Sequence, residues 1–163
     1  MKKLIITLLV AVSLAGICHA QQAPLYKAAY SSNFKMADQS YADKIMTVLK
    51  DFENNTLDNH IGWFADTVTM MLASGNILKG KTENLNGAKQ FRGSLSNYKL
   101  SLDAIVCLKC VDRDQNVVCV WETEEYTGSD GKKVKQSLQE VWGFDKDGKI
   151  DLMLQYVQAG GAM

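Results

Sequence analysis

The chain has 163 residues, of which 47% are hydrophobic and 22% are charged, which is typical of a single soluble globular domain with its own core. Lys and Arg number 18 and Asp and Glu number 18, so the formal net charge is zero. This balance gives no basic surface for nucleic acid or for an anionic membrane, and we expect neither as a partner.

The first 20 residues carry the pattern of a secretory signal. Lys2 and Lys3 precede an apolar run over residues 4–17, and Ala20 supplies a small residue at the expected cleavage position. The apolar run is shorter than the roughly 20 residues that a membrane-spanning helix needs. We therefore predict an exported protein, periplasmic or secreted, with cleavage near Ala20 and no stable membrane insertion afterwards.

Residues 21–39 are predicted to be a mobile leader, because the segment starts with a polar run and contains the only proline of the chain. The folded domain is predicted over residues 40–158, and residues 159–163 are predicted to be a disordered tail. A helix begins at Ser40, because four apolar residues follow at the spacing of one helical face: Ile45, Val48, Leu49 and Phe52.

A second, short helix is predicted through Leu57 and Phe64, and Asn86 can cap a third one. A short strand is predicted from Val68 to Leu72, and Ile77 and Leu78 are expected to pair back on it. Four long β-type runs follow, over residues 99–111, 117–126, 134–144 and 150–157. Helices followed by antiparallel strands predict an α+β fold with the helices packed on one face of the sheet.

The last hairpin contains the strongest candidate for a functional residue. Two alternating runs flank the turn at residues 145–148, and side chains alternate between the faces of a strand. One face is predicted to carry Leu138, Glu140, Trp142 and Phe144, and the facing run to present Ile150, Leu152, Leu154 and Tyr156. A carboxylate among these apolar neighbours has to find donors, become neutral or face a cavity, so Glu140 is our candidate catalytic or anchoring residue.

Several large side chains are candidates for the walls of an apolar cavity, and the alternative is that they simply fill the core. Together with Glu140, the predicted ligand-binding residues are Trp63, Met70, Leu72, Tyr98, Trp121, Trp142 and Tyr156.

The cysteines do not indicate a redox or metal site. Cys107 and Cys110 form a CxxC spacing, but on a strand they point to opposite faces and lack the helix N-terminus that activates such thiols. Three cysteines with His60 do not have the spacing of a zinc knuckle. We predict no metal and no cofactor. If the loop covers residues 113–116, Cys110 lies opposite Cys119 and can form a disulfide; the alternative is three small buried thiols.

His60 and Asp58 are two residues apart, which places them on different sides of a helix, so a solvated cap is the favoured role. Asp66 is expected to be a turn or capping residue before the first long strand.

Four segments carry a resemblance to a known family: residues 52–58, residues 63–68, residues 78–81 and residues 142–150. In order and spacing they resemble the nuclear transport factor 2-like superfamily, in particular its SnoaL-like and ketosteroid-isomerase-like bacterial branches. The resemblance covers about residues 40–158. It implies a cone-shaped barrel, a strongly curved mixed or antiparallel sheet wrapped around about three N-terminal helices, often forming a homodimer through the outer sheet face.

The resemblance does not carry over the isomerase machinery. The position of the isomerase's general base falls on Met70 and that of its oxyanion-hole tyrosine on Val48; only Glu140 matches its protonated acid. The favoured interpretation is a domain that binds a small apolar or amphipathic molecule. The alternatives are a SnoaL-like isomerase, cyclase or dehydratase using Glu140 with Asp66 or His60, and a protein-interaction module.

Overall fold

The computed structural model describes residues 25–158, which fall into two units that divide after Tyr30, so the described part of the second unit is residues 31–158. Residues 25–30 of the first unit are exposed. The predicted signal peptide, the start of the predicted leader and the predicted tail lie outside the described residues. Within the described part of the chain, none of the helices combines the length and the apolar character needed to cross a bilayer.

The second unit contains three helices and seven strands. In chain order they are β1 (Phe34–Met36), α1 (Ser40–Asn54), a 3₁₀ helix (Leu57–Trp63), β2 (Phe64–Met71), β3 (Ile77–Lys79), α2 (Lys81–Gly93), β4 (Ser96–Cys110), β5 (Gln115–Thr127), β6 (Lys133–Phe144) and β7 (Ile150–Val157).

The strands form one mixed sheet in the order β1-β4-β5-β6-β7-β2-β3, which is curled but not closed. Every neighbouring pair is antiparallel except β2 and β7, which run parallel. The α+β fold with helices on a curved sheet is confirmed.

One strand was not expected from the sequence. β1 lies inside the predicted leader, where it pairs with the end of β4. It is three residues long and exposed throughout, so it shows no hydrophobic periodicity. The expected pairing of Ile77 and Leu78 with the preceding strand is confirmed, because β3 pairs with β2.

The core lies between the concave face of the sheet and α1. Helix α1 buries one stripe of apolar side chains, as its spacing predicts. The sheet meets this stripe with residues from β2, β5, β6 and β7. The most deeply buried members of this core are Ala42, Ile45, Val48, Phe64, Val68, Val118, Val120, Phe144 and Ile150.

A bulge in β7 reverses which residues face the core. Ile150 pairs with Phe144, but the register then shifts and Leu152 pairs with Gly143. A Cβ on Gly143 would come within 3.1 Å of the Leu152 Cβ, so a larger residue there would push Leu152 out of this close pairing by a few tenths of an ångström. The prediction that Leu152, Leu154 and Tyr156 share the face of Ile150 is therefore wrong: they face outward.

The β4–β5 turn overturns the predicted disulfide. The turn covers residues 111–114, so Cys110 pairs with Gln115 and Cys119 pairs with Val106. Cys107, Cys110 and Cys119 are free, and the first two are buried. Burial raises the pKa of the Cys107 and Cys119 thiols. The alternative to the disulfide, free thiols that pack as small apolar groups, therefore describes these residues.

Candidate functional site

Three glutamates are buried on the concave face of the sheet. Glu122 and Glu124 lie on β5 and Glu140 on β6, with exposures of 1%, 6% and 4%. Residues two apart on a strand share a face, and Glu140 pairs with Val120, so it lies diagonally next to Glu122. We call Glu122, Glu124 and Glu140 the carboxyl row.

Glu140 accepts two hydrogen bonds from neutral donors. The indole Nε1 of Trp142 donates to Oε2 over 2.9 Å, and the amide Nε2 of Gln155 donates to Oε1 over 3.0 Å. Burial raises the pKa of Glu140 to about 7, although the hydrogen bond from Gln155 partly opposes that shift. Glu140 therefore changes its charge close to neutral pH.

Glu124 is held between strands β4 and β6. The hydroxyl of Tyr98 donates to Oε1, and the amide Nε2 of Gln136 donates to Oε2 over 3.0 Å. Burial, followed by the negative charge of Glu124, raises the pKa of Tyr98 well above its ordinary value, so the phenol remains a donor.

Glu122 is the least satisfied member of the row. Its Oε2 atom is buried and has no hydrogen-bond partner within residues 25–158. Burial raises the pKa of Glu122 to about 9, and the charges of Glu140 and Glu124 act in the same direction. At neutral pH the Glu122 side chain is therefore protonated, because an unpaired buried carboxylate is costly.

Aromatic rings extend the row at the Tyr98 end. Tyr98 stacks on Tyr126 with ring centroids 6.1 Å apart and meets Phe52 edge-on at 5.4 Å. Phe91 meets Tyr126 edge-on at 6.5 Å. The Arg92 guanidinium lies 4.7 Å from the centroid of the Tyr98 ring. The aromatic rings therefore lie beside Glu124, at the end of the carboxyl row that is farther from Glu140.

Two surface depressions lie near the row, and each is lined by residues that contact the row or its aromatic neighbours rather than by the three glutamates themselves. A depression of about 390 Å³ is lined by Gln155, the hydrogen-bond donor to Glu140, and by Leu72 and Tyr156. A second depression, of about 350 Å³, is lined by Tyr126 and its neighbours.

Glu122 is also close to an exposed part of β4. Its partner in the β4–β5 ladder is Leu102, which shares its face and is 40% exposed. The inner surface next to Glu122 therefore extends to solvent.

The predicted wall residues are not all in one place. Met70, Tyr98 and Trp142 are buried on the core side, and Trp63 is half-buried against the core. The expectation that Trp121 and Tyr156 face the same cavity as Glu140 is wrong. Both residues pair with Gln139, the neighbour of Glu140 in β6, whose side chain points to the opposite face of the sheet. Trp121 and Tyr156 are therefore exposed on the outer face.

The two predicted bases lie outside the row. The Asp66 side chain is 85% exposed and forms an ion pair with Lys81 at 2.5 Å, which lowers its pKa. His60 is not a solvated cap. Its Nδ1 lies 2.5 Å from Oδ2 of Asp51, and its ring packs on Trp63 at 4.0 Å.

The sequence analysis missed Glu122, Glu124, Gln136 and Gln155. A signal for the two glutamates was present, because Val118, Val120, Glu122 and Glu124 are spaced by two and must share a face. Gln155 could not be placed, because the β7 bulge puts it on the concave face. No group of three or more His, Cys, Asp or Glu side chains between residues 25 and 158 is arranged to hold a metal ion.

No protein-family model matches this chain, and no curated protein does. Solved structures do match. An LEH-like epoxide hydrolase from M. tuberculosis superposes with a TM-score of 0.61 at 14% identity, covering 74% of this chain and 84% of that one. An NTF2-like protein of unknown function from Exiguobacterium sp. 255-15 gives 0.57 at 15% identity, covering 74% and 99%.

A third match is a protein with a ketosteroid isomerase-like fold from Catenulispora acidiphila DSM 44928, in complex with trimethylamine. Its TM-score is 0.55 at 11% identity, covering 71% of this chain and 85% of that one.

The chain has the nuclear transport factor 2-like fold. The predicted resemblance is confirmed at the level of the fold. Identities of 11–15% establish the nuclear transport factor 2-like architecture and leave the activity to be argued from the site.

Proposed function

We propose that this nuclear transport factor 2-like domain binds a small, largely apolar molecule on its concave face, after export, with Glu140 as the polar anchor. The observation that carries the proposal is the buried carboxyl row, in which Glu122 Oε2 has no partner among the described residues. The trimethylamine complex and the LEH-like epoxide hydrolase among the similar structures support a small-molecule role.

A purely structural role does not account for the row. Buried ionisable groups cost free energy, and replacing them with apolar residues of similar size often stabilises a protein. Here three carboxyl groups lie side by side, and beyond the effect of burial the charges of Glu140 and Glu124 raise the pKa of Glu122 and the charge of Glu124 raises the pKa of Glu140. Such an arrangement weakens the fold, and perturbed carboxyl groups of this kind concentrate at functional sites.

Native mass spectrometry of the protein purified from its own host tests the binding proposal. We expect a fraction of the chain to carry one small molecule. The Glu140→Gln variant keeps the size of the side chain but loses the carboxyl group, so its occupancy should fall about tenfold, the loss of roughly one charge-assisted hydrogen bond. The matched control is Glu125→Gln, an exposed glutamate on the same sheet paired with Lys135. Equal occupancy in all three proteins would contradict the role of Glu140.

Acid–base catalysis is a second candidate function. Glu122 and Glu140 are neighbours whose pKa values differ, about 9 and about 7. Two carboxyl groups whose environments separate their pKa values can act as acid and base on one molecule. A co-purified molecule that is converted by fresh wild-type protein, but not by Glu122→Gln, would establish catalysis.

We also propose that the outer face of the sheet packs against a second copy of the chain. Trp121 and Tyr156 are exposed there at 39% and 54%. Cys119, Val141 and Leu154, paired in the ladder beside them, are half-buried. These apolar side chains cluster around Gln139 on one sheet face, and such a cluster is typical of an interface.

A further inference from the structure

We propose that the ligand of the carboxyl row is an organic cation, a small amine or quaternary ammonium compound. This inference rests on the proposed binding function and specifies its ligand class. Three observations support this ligand class: the neutral polar groups around the row, the unpartnered oxygen of Glu122 and the nearby aromatic rings.

The row presents acceptors without a cation of its own to satisfy them. The hydrogen bonds to Glu124 and Glu140 come from Tyr98, Gln136, Trp142 and Gln155, all neutral groups. The Oε2 atom of Glu122 lies in the same cluster, fully buried, with no partner in the part of the chain that the structure describes. A ligand that brings a positive charge would complete this arrangement, since a buried carboxylate requires a cationic or hydrogen-bonded partner.

Arg92 does not supply the positive charge for the carboxyl row. Its guanidinium packs on the Tyr98 ring, but its donors go to backbone carbonyl oxygens. Nε and one terminal nitrogen bond the carbonyl of Glu53 over 3.0 and 2.7 Å, and the other nitrogen bonds that of Leu95 over 3.2 Å. The guanidinium already occupies a face of the Tyr98 ring, so a ligand cation would contact the other rings of the aromatic cluster.

The aromatic end suits an alkylated ammonium rather than a metal ion. Tyr98 and Tyr126 stack next to Glu124, and Phe52 and Phe91 pack against their edges. Aromatic faces attract ammonium groups and also bury the apolar carbons around the nitrogen. The acidic side chains in residues 25–158 are not arranged as a metal-binding group.

Binding has a definite proton balance. The free row holds a proton on Glu122 at neutral pH. When the cation binds, the Glu122 carboxyl group loses that proton to solvent and its carboxylate pairs with the ammonium group. No covalent bond of the ligand is made or broken. Glu122 therefore releases up to one proton for each cation bound, the partly protonated Glu140 releases a further fraction, and affinity rises as the pH approaches the pKa of Glu122.

Choline and its neutral isostere 3,3-dimethyl-1-butanol distinguish charge from shape. We would titrate each into the full chain at pH 7 by calorimetry, in two buffers with different ionisation enthalpies. Choline should bind about tenfold more tightly than the alcohol, since the row and the rings favour the charge. The measured heat of choline binding should differ between the buffers, because a proton is released.

The variants assign the effect to Glu122. Glu122→Gln should weaken choline binding about tenfold and reduce the buffer dependence to the smaller part that Glu140 contributes, and should leave binding of the alcohol unchanged. Glu125→Gln should match the wild type, since Glu125 is exposed and paired with Lys135. If Glu122→Gln does not fold, as judged by circular dichroism, Glu124→Gln replaces it with the same expected loss of choline affinity.

Each remaining outcome overturns the inference. Equal affinity for choline and the alcohol would show a neutral apolar site, and the proposed binding function would stand without its cation. Absence of choline binding, with a neutral molecule found by native mass spectrometry, would do the same. Tighter binding of Ca²⁺ than of choline would make the row a metal site. A chain with no bound molecule in either experiment would remove the binding function as well.

Discussion

At the scale of single residues, the unusual feature is a carboxyl group that holds its proton at neutral pH. Glu122 and Glu140 have pKa values raised to about 9 and about 7, mainly by burial. In the unfolded chain both groups return to the ordinary glutamate value near 4.3. Between these values the folded protein binds more protons than the unfolded one, so the free energy of unfolding decreases as pH rises.

We therefore predict that the protein is most stable at mildly acidic pH and loses stability from about pH 5 to pH 9. The midpoint of thermal unfolding should fall by on the order of 10 °C across this range, a few kcal/mol for a domain of this size. Glu122→Gln removes the larger contribution, so its midpoint should change less than half as much. Thermal scans followed by circular dichroism would measure both.

Glu125→Gln is the matched control for this pH series. Lys135 lowers the pKa of the exposed Glu125 carboxyl group, so Glu125 is already ionised across the range. Its removal should leave the slope of stability against pH unchanged. A wild-type protein that becomes more stable from pH 5 to pH 9 would contradict the buried, protonated state of Glu122.

How much of this site the sequence predicts depends on the residue. Glu140 was identified because its neighbours Leu138 and Trp142 are large and apolar, and the structure buries all three. The same alternation places Glu122 on the face of Val118 and Val120. The next residue on that face is a second glutamate, Glu124, so the apolar pattern around Glu122 is weaker than that around Glu140. Asp51, the partner of His60, could not be predicted, because the contact forms only when the 3₁₀ helix folds back on α1.

At the scale of secondary-structure elements, the β7 bulge decides what each sheet face contains. Strict alternation predicts that Ile150 and Tyr156 share a face, and the shift next to Gly143 breaks that alternation. The bulge brings Gln155 to Glu140 and turns Leu154 and Tyr156 outward. Sequence periodicity cannot locate such a shift, because one extra residue reverses every side chain beyond it.

The outward-facing residues of β5 and β7 lead to a prediction about assembly. Trp121→Glu places a charge in the centre of the proposed interface, so we expect it to convert a dimer into a monomer in sedimentation velocity runs. Ser129→Glu adds the same charge in the exposed β5–β6 turn and should leave the dimer intact. A wild-type chain that sediments as a monomer at high micromolar concentration would contradict the interface.

At the scale of the whole molecule, composition and element order predict the fold well. Helices followed by strands indicate α+β, and the structure confirms a curled sheet around helices. The parallel pairing of β2 with β7 brings strands from opposite ends of the domain together, so no local pattern reveals it. The Gln155 contact to Glu140 does not depend on that parallel pairing, because it forms across the antiparallel β6–β7 hairpin, which is local in sequence.

The central claim is that a small molecule binds on the concave face beside Glu140. Two tryptophans report on the two faces: the Trp142 indole N–H donates to Glu140, whereas Trp121 lies on the outer face. The most direct measurement is a ¹H–¹⁵N titration of the ligand-free protein with the molecule extracted from the native protein. We predict a saturable shift of the Trp142 indole resonance with the Trp121 resonance unchanged. A shift at Trp121 with Trp142 unchanged would contradict the claim.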